Sequence, residues 1–538
     1  MKKTIWFVIL ALSVLISLAL PNGRAAAADD VQWDGAGHIP GSNVCGDTNY
    51  PYRNPQNPRA DQSVTIRERS YQFDLTAVTV WYTTNSSASA QGDWSSVSTS
   101  WQANCGSSYD VWTATIPAQT TQVWYKIALT DGTDTDWQRT SGEGSGSVSE
   151  DEGGWTTAST SLTYSPPSPV YVDDGYTSST PGWNYDHFNS IQSAVNAVKT
   201  GGTMYLYAGT YTENVTVDRT LTIDDNQNLG TRTVDGHLQV AGAVSMGSTV
   251  MPIQVNGNIT LNSGSSLTMG TGYGGDIYLR GNWINNGGTF NPNNRVVSFN
   301  GGGTQTIGGT SSTTFDNVLI VNSSGVVNLG INTTFNQKLT LNADINTGSY
   351  TLNLGPSAYS ASESTGDVWG TIRRNHAFTS GNTYSFGNPD VQLTFTGGSM
   401  PTDVTVSLAA VLPFTNAADR TYSIGANGSG WTATLRLRYK ELELHLVNGA
   451  TENNLHILRN VSGTWTLQAS TRDITANWVQ TTGVTGFSDW GISGNSPTAV
   501  DLIDLNATVR PALGPVAAVA GLALAGLGLL GWQRRKQR

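Results

Sequence analysis

Between residues 257 and 356 the chain repeats itself, and the repeat limits what it can fold into. Val297/Phe299, Val318/Ile320 and Leu339/Leu341 are apolar pairs two residues apart, each about 21 residues after the last. A second series, Ile307, Val327/Leu329 and Leu352/Leu354, runs between them at nearly the same period, and Ile259/Leu261 with Ile277/Leu279 continue it upstream less regularly. Residues at i and i+2 share one face of a strand. Recurrence about every 20 residues marks a solenoid, in which each coil buries its face on the next. The intervening Gly, Asn, Thr and Ser suit tight corners between short strands, and no helical period appears. A leucine-rich horseshoe would need a denser leucine pattern with a fixed Asn. An antiparallel sandwich, whose strands also recur about every 8–12 residues, is the closer rival, and the residues just upstream decide against it.

At 538 residues there is room for about three domains. Charged residues make up 12% of the chain, a composition that suits extracellular β-structure better than a cytosolic enzyme. Lys2-Lys3 precede an apolar run from 5 to 20 and the small residues 25–28, which reads as a signal peptide (1–28) cleaved near Ala28. Residues 512–532 carry no charge and would span about 31 Å as a helix, enough for a bilayer core. Arg534, Arg535 and Lys536 follow, placing a basic tail (533–538) in the cytoplasm. The expectation is an exported protein, anchored in the cytoplasmic membrane by a single helix over 511–532, with its C-terminus inside. No L-P-x-T-G motif precedes that helix. Without the seven positive residues of the two ends, the formal charge goes from −11 to −18, which argues against nucleic acid as a partner.

Residues 29–138 are dense in strand signals, at 63–66, 78–82, 111–116 and 123–129. In the last, Val123, Tyr125, Ile127 and Leu129 alternate inward while Trp124 and Lys126 point outward. Asp131-Gly132 makes a turn, and the pattern fits an Ig-like β-sandwich. Cys45 and Cys105, the chain's two cysteines, pair as one disulfide in an oxidising compartment. Asp131, Asp134 and Asp136 offer oxygens of the kind calcium takes, although a solvated acidic loop is the commoner reason for such a run. Residues 139–169, with Gly-Ser alternation and a Pro-rich end, read as a flexible linker.

The segments VQWDGAGH (31–38), YRNP (52–55), VTIRERSYQFDLTAVTVWY and VWYKIALTDGTDTDW resemble the N-terminal Ig-like, starch-binding-type domains of amylopullulanases and related α-glucan hydrolases. The resemblance covers roughly 110 residues, and no catalytic barrel follows, so it implies binding rather than hydrolysis. It implies an exposed aromatic that stacks on a sugar ring. Trp81, Trp94, Trp101, Trp112, Trp124 and Trp137 are candidates, set against the commoner fate of core packing. Trp124 is the chosen platform, completed by Trp112 or Trp137.

VYVDDG (170–175) and FNSIQSAVNAVKTGGTMYLYAGTYTENVTVDRTLTI (188–223) combine a short helical stripe (Ile191, Ala194, Val195, Val198) with three short strands. This resembles the entrance of pectin-lyase-like right-handed parallel β-helices, in which a helix caps the open end. The 209–214 run is similar to pectin methylesterases and to non-enzymatic cell-surface members alike. The D-F-x-x-G and G-R-P-W motifs of the esterases are missing, so Glu213 reads as a structural residue of the first coil. Asp173-Asp174 and Asp224-Asp225 offer either calcium ligands or paired carboxylates for glycoside hydrolysis, with turn acids as the commoner reading. Coils from 281 onward are similar to repeats of adhesin-type bacterial surface proteins. Beyond residue 356 the period fails, and a β-rich domain of sandwich type (356–494) and a tether (495–510) follow. Leu435, Leu437 and Tyr439 alternate with basic residues, then the parity flips to Leu442, Leu444 and Leu446, placing a turn near 440–441.

The expected fold is all-β: an Ig-like sandwich, a right-handed parallel β-helix with a capping helix (170–355), a C-terminal β-sandwich and one transmembrane helix. The expected function is non-enzymatic, cell-surface adhesion or carbohydrate binding, with a polysaccharide or surface glycan as partner and no required cofactor, calcium aside. A lyase or glycosidase working along the β-helix, and a purely structural envelope protein, are the alternatives.

Overall fold

The computed structural model describes residues 31–494 except 33–34, 144–147, 151–154, 156–157, 228–229, 248–250, 273, 323 and 448. The expected signal peptide and membrane helix lie outside the described residues. Among the described residues, no helix is long and apolar enough to cross a membrane.

Residues 31–164 form two antiparallel sheets packed face to face. One is built on Val64–Tyr71 paired with Tyr109–Ile116, the other on Ala77–Thr83 paired with Val123–Asp131. Val64, Ile66, Val80, Val123, Tyr125, Ile127 and Leu129 fill the space between them. Cys45 and Cys105 are bonded to each other, with their Cα atoms 6.1 Å apart. Part of the stretch read as linker is built into this domain. Leu162–Tyr164 pairs with Val123–Tyr125, and Val148–Glu150 pairs with Asp136–Gln138. Its Gly-Ser composition concealed two strands, because backbone pairing asks little of the side chains.

His38 is fully buried. One ring nitrogen donates to the Arg67 carbonyl (2.6 Å), and the other accepts from the Tyr125 hydroxyl (2.9 Å). Both nitrogens are therefore satisfied in the neutral ring, and burial pushes the pKa from 6.5 down to about 4.

The sandwich rests on the end of the solenoid. Ala60 N–H donates to Ala197 O (3.0 Å), Thr200 N–H to Thr120 O (2.7 Å), and the Arg59 guanidinium to Asn184 Oδ1 (2.8 Å).

From Val170–Val172 onward, short strands stack in parallel, in register, into three sheets that share one interior. One sheet holds eight strands, one from each coil. Val297, Val318 and Leu339 are register partners, as are Phe299, Ile320 and Leu341, so the sequence repeat is the stacking column itself. The second series belongs to another sheet, where Ile307 pairs with Leu329 and Val327 with Ile345. Leu352/Leu354, further along the same strand Ile345–Leu354, stack on Thr333/Phe335 instead of on Val327/Leu329 as the period suggested. Each buried side chain of this size contributes about 1.5–3 kcal/mol, which makes the in-register column the main source of cohesion.

Polar ladders fix the corners. Asn214 accepts from His237 N–H, His237 Nδ1 from Asn258 N–H, Asn258 from Asn282 N–H and Asn282 from Thr306 N–H, each at 2.8 Å. Each side chain thus holds the next coil by its backbone.

The open end is closed by the helix Ile191–Ala197. The Glu213 carboxylate accepts from Ser190 Oγ (2.9 Å), Ile191 N–H (2.6 Å) and Gln192 N–H (3.0 Å), where a helix start offers unpaired donors. The Gln192 amide accepts Thr216 N–H (2.7 Å) and donates to Thr216 O (3.2 Å), satisfying the edge strand Val215–Val217. Arg219 donates to the carbonyls of Asn196 and Val198 at the other end of the helix.

Parallel pairing continues past 356, through Tyr359–Ser360 and Val368–Asn375, before Val368–Asn375 meets Asp403–Ala409 antiparallel. Arg374 is fully buried there and donates to the carbonyls of Gly355, Ala358 and Ser385. Burial lowers its pKa to about 10.

A second compact unit comprises, among the described residues, 410–422, 437–482 and 488–494. In it His456–Val461 pairs with Thr464–Leu467 and Asp489–Ser493, and a buried Arg420 grips the Glu443 carboxylate at 2.7 and 3.1 Å. Leu435, Leu437 and Tyr439 are buried, and the 3-10 turn Glu441–Glu443 exposes Leu442 completely, which accounts for the parity flip.

Two measurements follow from these contacts. Glu213→Ala should lower stability by about 2 kcal/mol in chemical denaturation, since a charged acceptor and the order of the helix start go together. Unchanged stability would show the helix to be held by its apolar stripe alone. For His38 the folded-state pKa lies below the unfolded one, so its contribution is complete above pH 6.5. It is lost as pH falls towards about 4, to the extent of about 3 kcal/mol. The neighbouring buried Glu68 is shifted upward and acts in the opposite sense, so the quantity to measure is the difference in pH dependence between wild type and His38→Gln.

Candidate functional site: a tryptophan face on the sandwich

The strand Val123–Asp131 has two faces, and both are used. Its inward residues sit in the core as the alternation requires. Its outward residues point away from that core, yet Lys126 is fully buried. The Lys126 Nζ lies 4.1 Å from the Trp94 ring, 4.9 Å from Trp155 and 5.1 Å from Trp137. Three indoles thus surround one ammonium. A buried charge costs several kcal/mol, and desolvated cation–π contacts of about 2 kcal/mol offset part of that.

The indoles come from three places. Trp137 lies on Asp134–Gln138, opposite Ala128. Trp94 follows the short turn Gln91–Asp93, and Trp155 lies within the stretch read as linker. Trp94 packs with Ala88 and Ala158 in a small cluster of its own, against which Trp81, Trp124 and Trp155 lie half-buried. Trp155 meets Trp81 edge-on at 4.7 Å and Trp137 at 5.2 Å. The result is a layered face, with Trp94 and Trp137 as floor and Trp81, Trp124 and Trp155 partly open to solvent.

The expected platform changes accordingly. Trp124 points outward and is half-buried. Trp112 is on the other sheet, buried in the main core, with its Nε1–H donating to Ser70 Oγ at 3.0 Å, so it cannot complete the platform. Trp137 is buried under Trp155. Trp101 is 48% exposed, but on the other sheet. Trp81 and Trp155 take the vacated places. The parity of Val78, Val80 and Tyr82 points Trp81 outward, and the isolated Trp155 in a Gly-rich stretch is itself a signal.

The acidic candidates are distributed differently. Asp131 and Asp136 are buried at the hairpin that pairs Asp131 with Asp134, so this is no solvated loop. Asp173 Oδ1 accepts Gly175 N–H (2.8 Å), and Asp174 Oδ2 accepts Thr210 N–H (2.9 Å). A Cβ at Gly209 would fall 2.7 Å from Asp174 Oδ2, which is why that corner has a glycine. Asp224 Oδ1 accepts the N–H groups of Asp225 and Asn226, and Asp225 Oδ1 that of Gln227. Asp173, Asp224 and Asp225 thus serve local turns, and Asp174 ties its corner to the strand Gly209–Tyr211. Among the described residues, no group of three or more His, Cys, Asp and Glu side chains is arranged to hold a metal ion.

No protein-family model matches the chain. Among solved structures, 22 chains match, one of them described as "Cyclomaltodextrinase". That alignment has 12% identity and a TM-score of 0.19, and covers 34% of this chain and 34% of that one. The chain therefore spans about a third of the length of the protein it matches.

Proposed function

We propose that this is a non-enzymatic cell-surface protein that binds glycan through the tryptophan face of its sandwich, with the β-solenoid as a stalk. The reading includes export and anchoring by the C-terminal apolar segment. The observation that carries it is the set of half-buried indoles, Trp81, Trp124 and Trp155, gathered on one sheet face and backed by the Lys126 cage. An indole offers a flat apolar surface to the C–H face of a pyranose ring, and a rigid backing means little order is lost on binding. The backbone bonds of Glu213, Asp173, Asp174 and Asp224 count against a lyase or glycosidase along the solenoid, because a carboxylate committed to backbone donors is a poor general acid or base.

Calorimetry of the purified protein against maltooligosaccharides provides the test. Binding should be weak, and Trp124→Ala should reduce it by on the order of 2 kcal/mol, more than tenfold in affinity, with thermal unfolding little changed. Wild-type affinity in both Trp124→Ala and Trp81→Ala would sink the proposal. Unfolding of Trp124→Ala would instead make that residue a packing element, leaving Trp81→Ala to decide.

A further inference from the structure

A strand at the end of a sheet presents unpaired N–H and C=O groups, and proteins blunt such edges with charge, proline, a bulge or a covering segment. In the second compact unit one edge has none of these. Thr464–Leu467 is the last strand of its sheet and, among the described residues, pairs with His456–Val461 alone. The pairing runs without a register shift around the two-residue turn Ser462-Gly463, whose φ angles are 52° and 87°. Residues 460–471 contain neither charge nor proline. Gln468 N–H donates to Ile457 O at 2.9 Å, so by alternation Thr464 and Thr466 turn their backbone groups to the same neighbour. The N–H and C=O of Trp465 and Leu467 therefore point to the open edge.

The edge is apolar as well. Trp465 and Leu467 share the sheet face of Leu458, the register partner of Leu467, yet Leu458 is fully buried and Leu467 is 46% exposed. Phe414 reaches the same face. Its ring lies 5.2 Å from that of Trp465, and a Cβ at Gly491, the residue beside Leu458, would fall 2.8 Å from Pro413. Val411 and Leu412, just before these two, are 59% and 42% exposed.

We propose that this edge is a self-association surface, on which a second copy of the chain adds its own Thr464–Leu467 strand antiparallel about a two-fold axis at Thr466. The strand is complementary to itself. With Thr466 opposite its own copy, Trp465 of each chain lies opposite Leu467 of the other, and both pairs have their backbone groups turned to the join. The exposed Leu467 of each copy is then covered by an indole, a favourable cross-strand pair. Charge points the same way. The chain carries a formal −11, and two copies meeting at this uncharged edge bring no like charges together. A three-residue pairing buries less than the roughly 800 Å² per partner of a stable dimer, so the association is a weak, concentration-dependent equilibrium. It is independent of the glycan reading.

The test uses the full chain in detergent, as wild type and as Leu467→Lys, Thr466→Cys and Thr464→Cys, with thermal unfolding checked throughout. The two native cysteines are bonded to each other, so an introduced thiol reports alone. Across the two-fold axis the Thr466 Cα atoms would be about 4.5 Å apart, within disulfide range. Those of Thr464 would be offset by four residues, about 14 Å. Sedimentation equilibrium should show monomer and dimer, with Leu467→Lys weakening the dimer by about tenfold or more. Mild oxidation should link Thr466→Cys into dimers and leave Thr464→Cys monomeric. If Leu467→Lys unfolds, the contrast between the two cysteine variants decides. A chain that stays monomeric at every concentration, with no link through Thr466→Cys, overturns the proposal and leaves the edge to a strand of another protein. A dimer indifferent to Leu467→Lys, or one that links equally through both cysteines, also overturns it, because such a dimer forms through another surface, the apolar segment 512–532 included.

Discussion

A parallel solenoid is held rung by rung, so its first strand has an edge that no earlier rung covers, and everything downstream stacks on that edge. Here Gln192 mimics the missing rung by accepting and donating to the backbone of Thr216, and Glu213 fastens the helix that carries Gln192. An uncovered edge would be a template for another chain. The far end meets the same problem differently. Arg374 gathers three carbonyls of the last coil and its neighbours, and Val368–Asn375 turns the sheet from parallel to antiparallel pairing. Between the ends the apolar columns provide cohesion and the ladder from Asn214 to Asn282 provides register. His237 stands in that ladder where the other rungs have Asn, and it serves equally because Nδ1 accepts as an amide oxygen does.

The sandwich solves a different problem. One face of the sheet containing Val123–Asp131 packs on the other sheet, and the opposite face would ordinarily be polar and wet. Instead the segments around Ala88, Trp94, Trp155 and Ala158 fold over it and enclose Lys126. Rigid aromatic surface is thereby placed at the protein exterior, backed by more aromatic surface beneath.

Much of the solenoid was legible because stacking is a local rule. Each coil must present the same two-residue pair at the same corner, so Val318/Ile320 predicts Leu339/Leu341 directly. Leu352/Leu354 falls in another column because Ile345, seven residues earlier on the same ten-residue strand, already pairs with Val327, which a period cannot reveal. In the sandwich the alternation gave the directions of Trp124 and Lys126 correctly but not their exposure. Direction is set by the strand itself, whereas cover is supplied by segments about 30 residues away on either side, as Trp94 and Trp155 are. Trp137 is covered for the same reason, whereas Trp112 lies on the other sheet and faces the main core. The role of Glu213 as a structural residue was visible from missing esterase motifs, but its place at a helix start was not.

The account as a whole claims that the molecule holds glycan without altering it. The most direct measurement is saturation binding of a neutral polysaccharide to the purified protein, followed by recovery of the polysaccharide and analysis of its chain length, with and without calcium. The account predicts saturable binding, unchanged chain length and no new reducing ends or unsaturated products. Progressive shortening of the glycan, abolished by Glu213→Gln or Asp174→Asn, would contradict it.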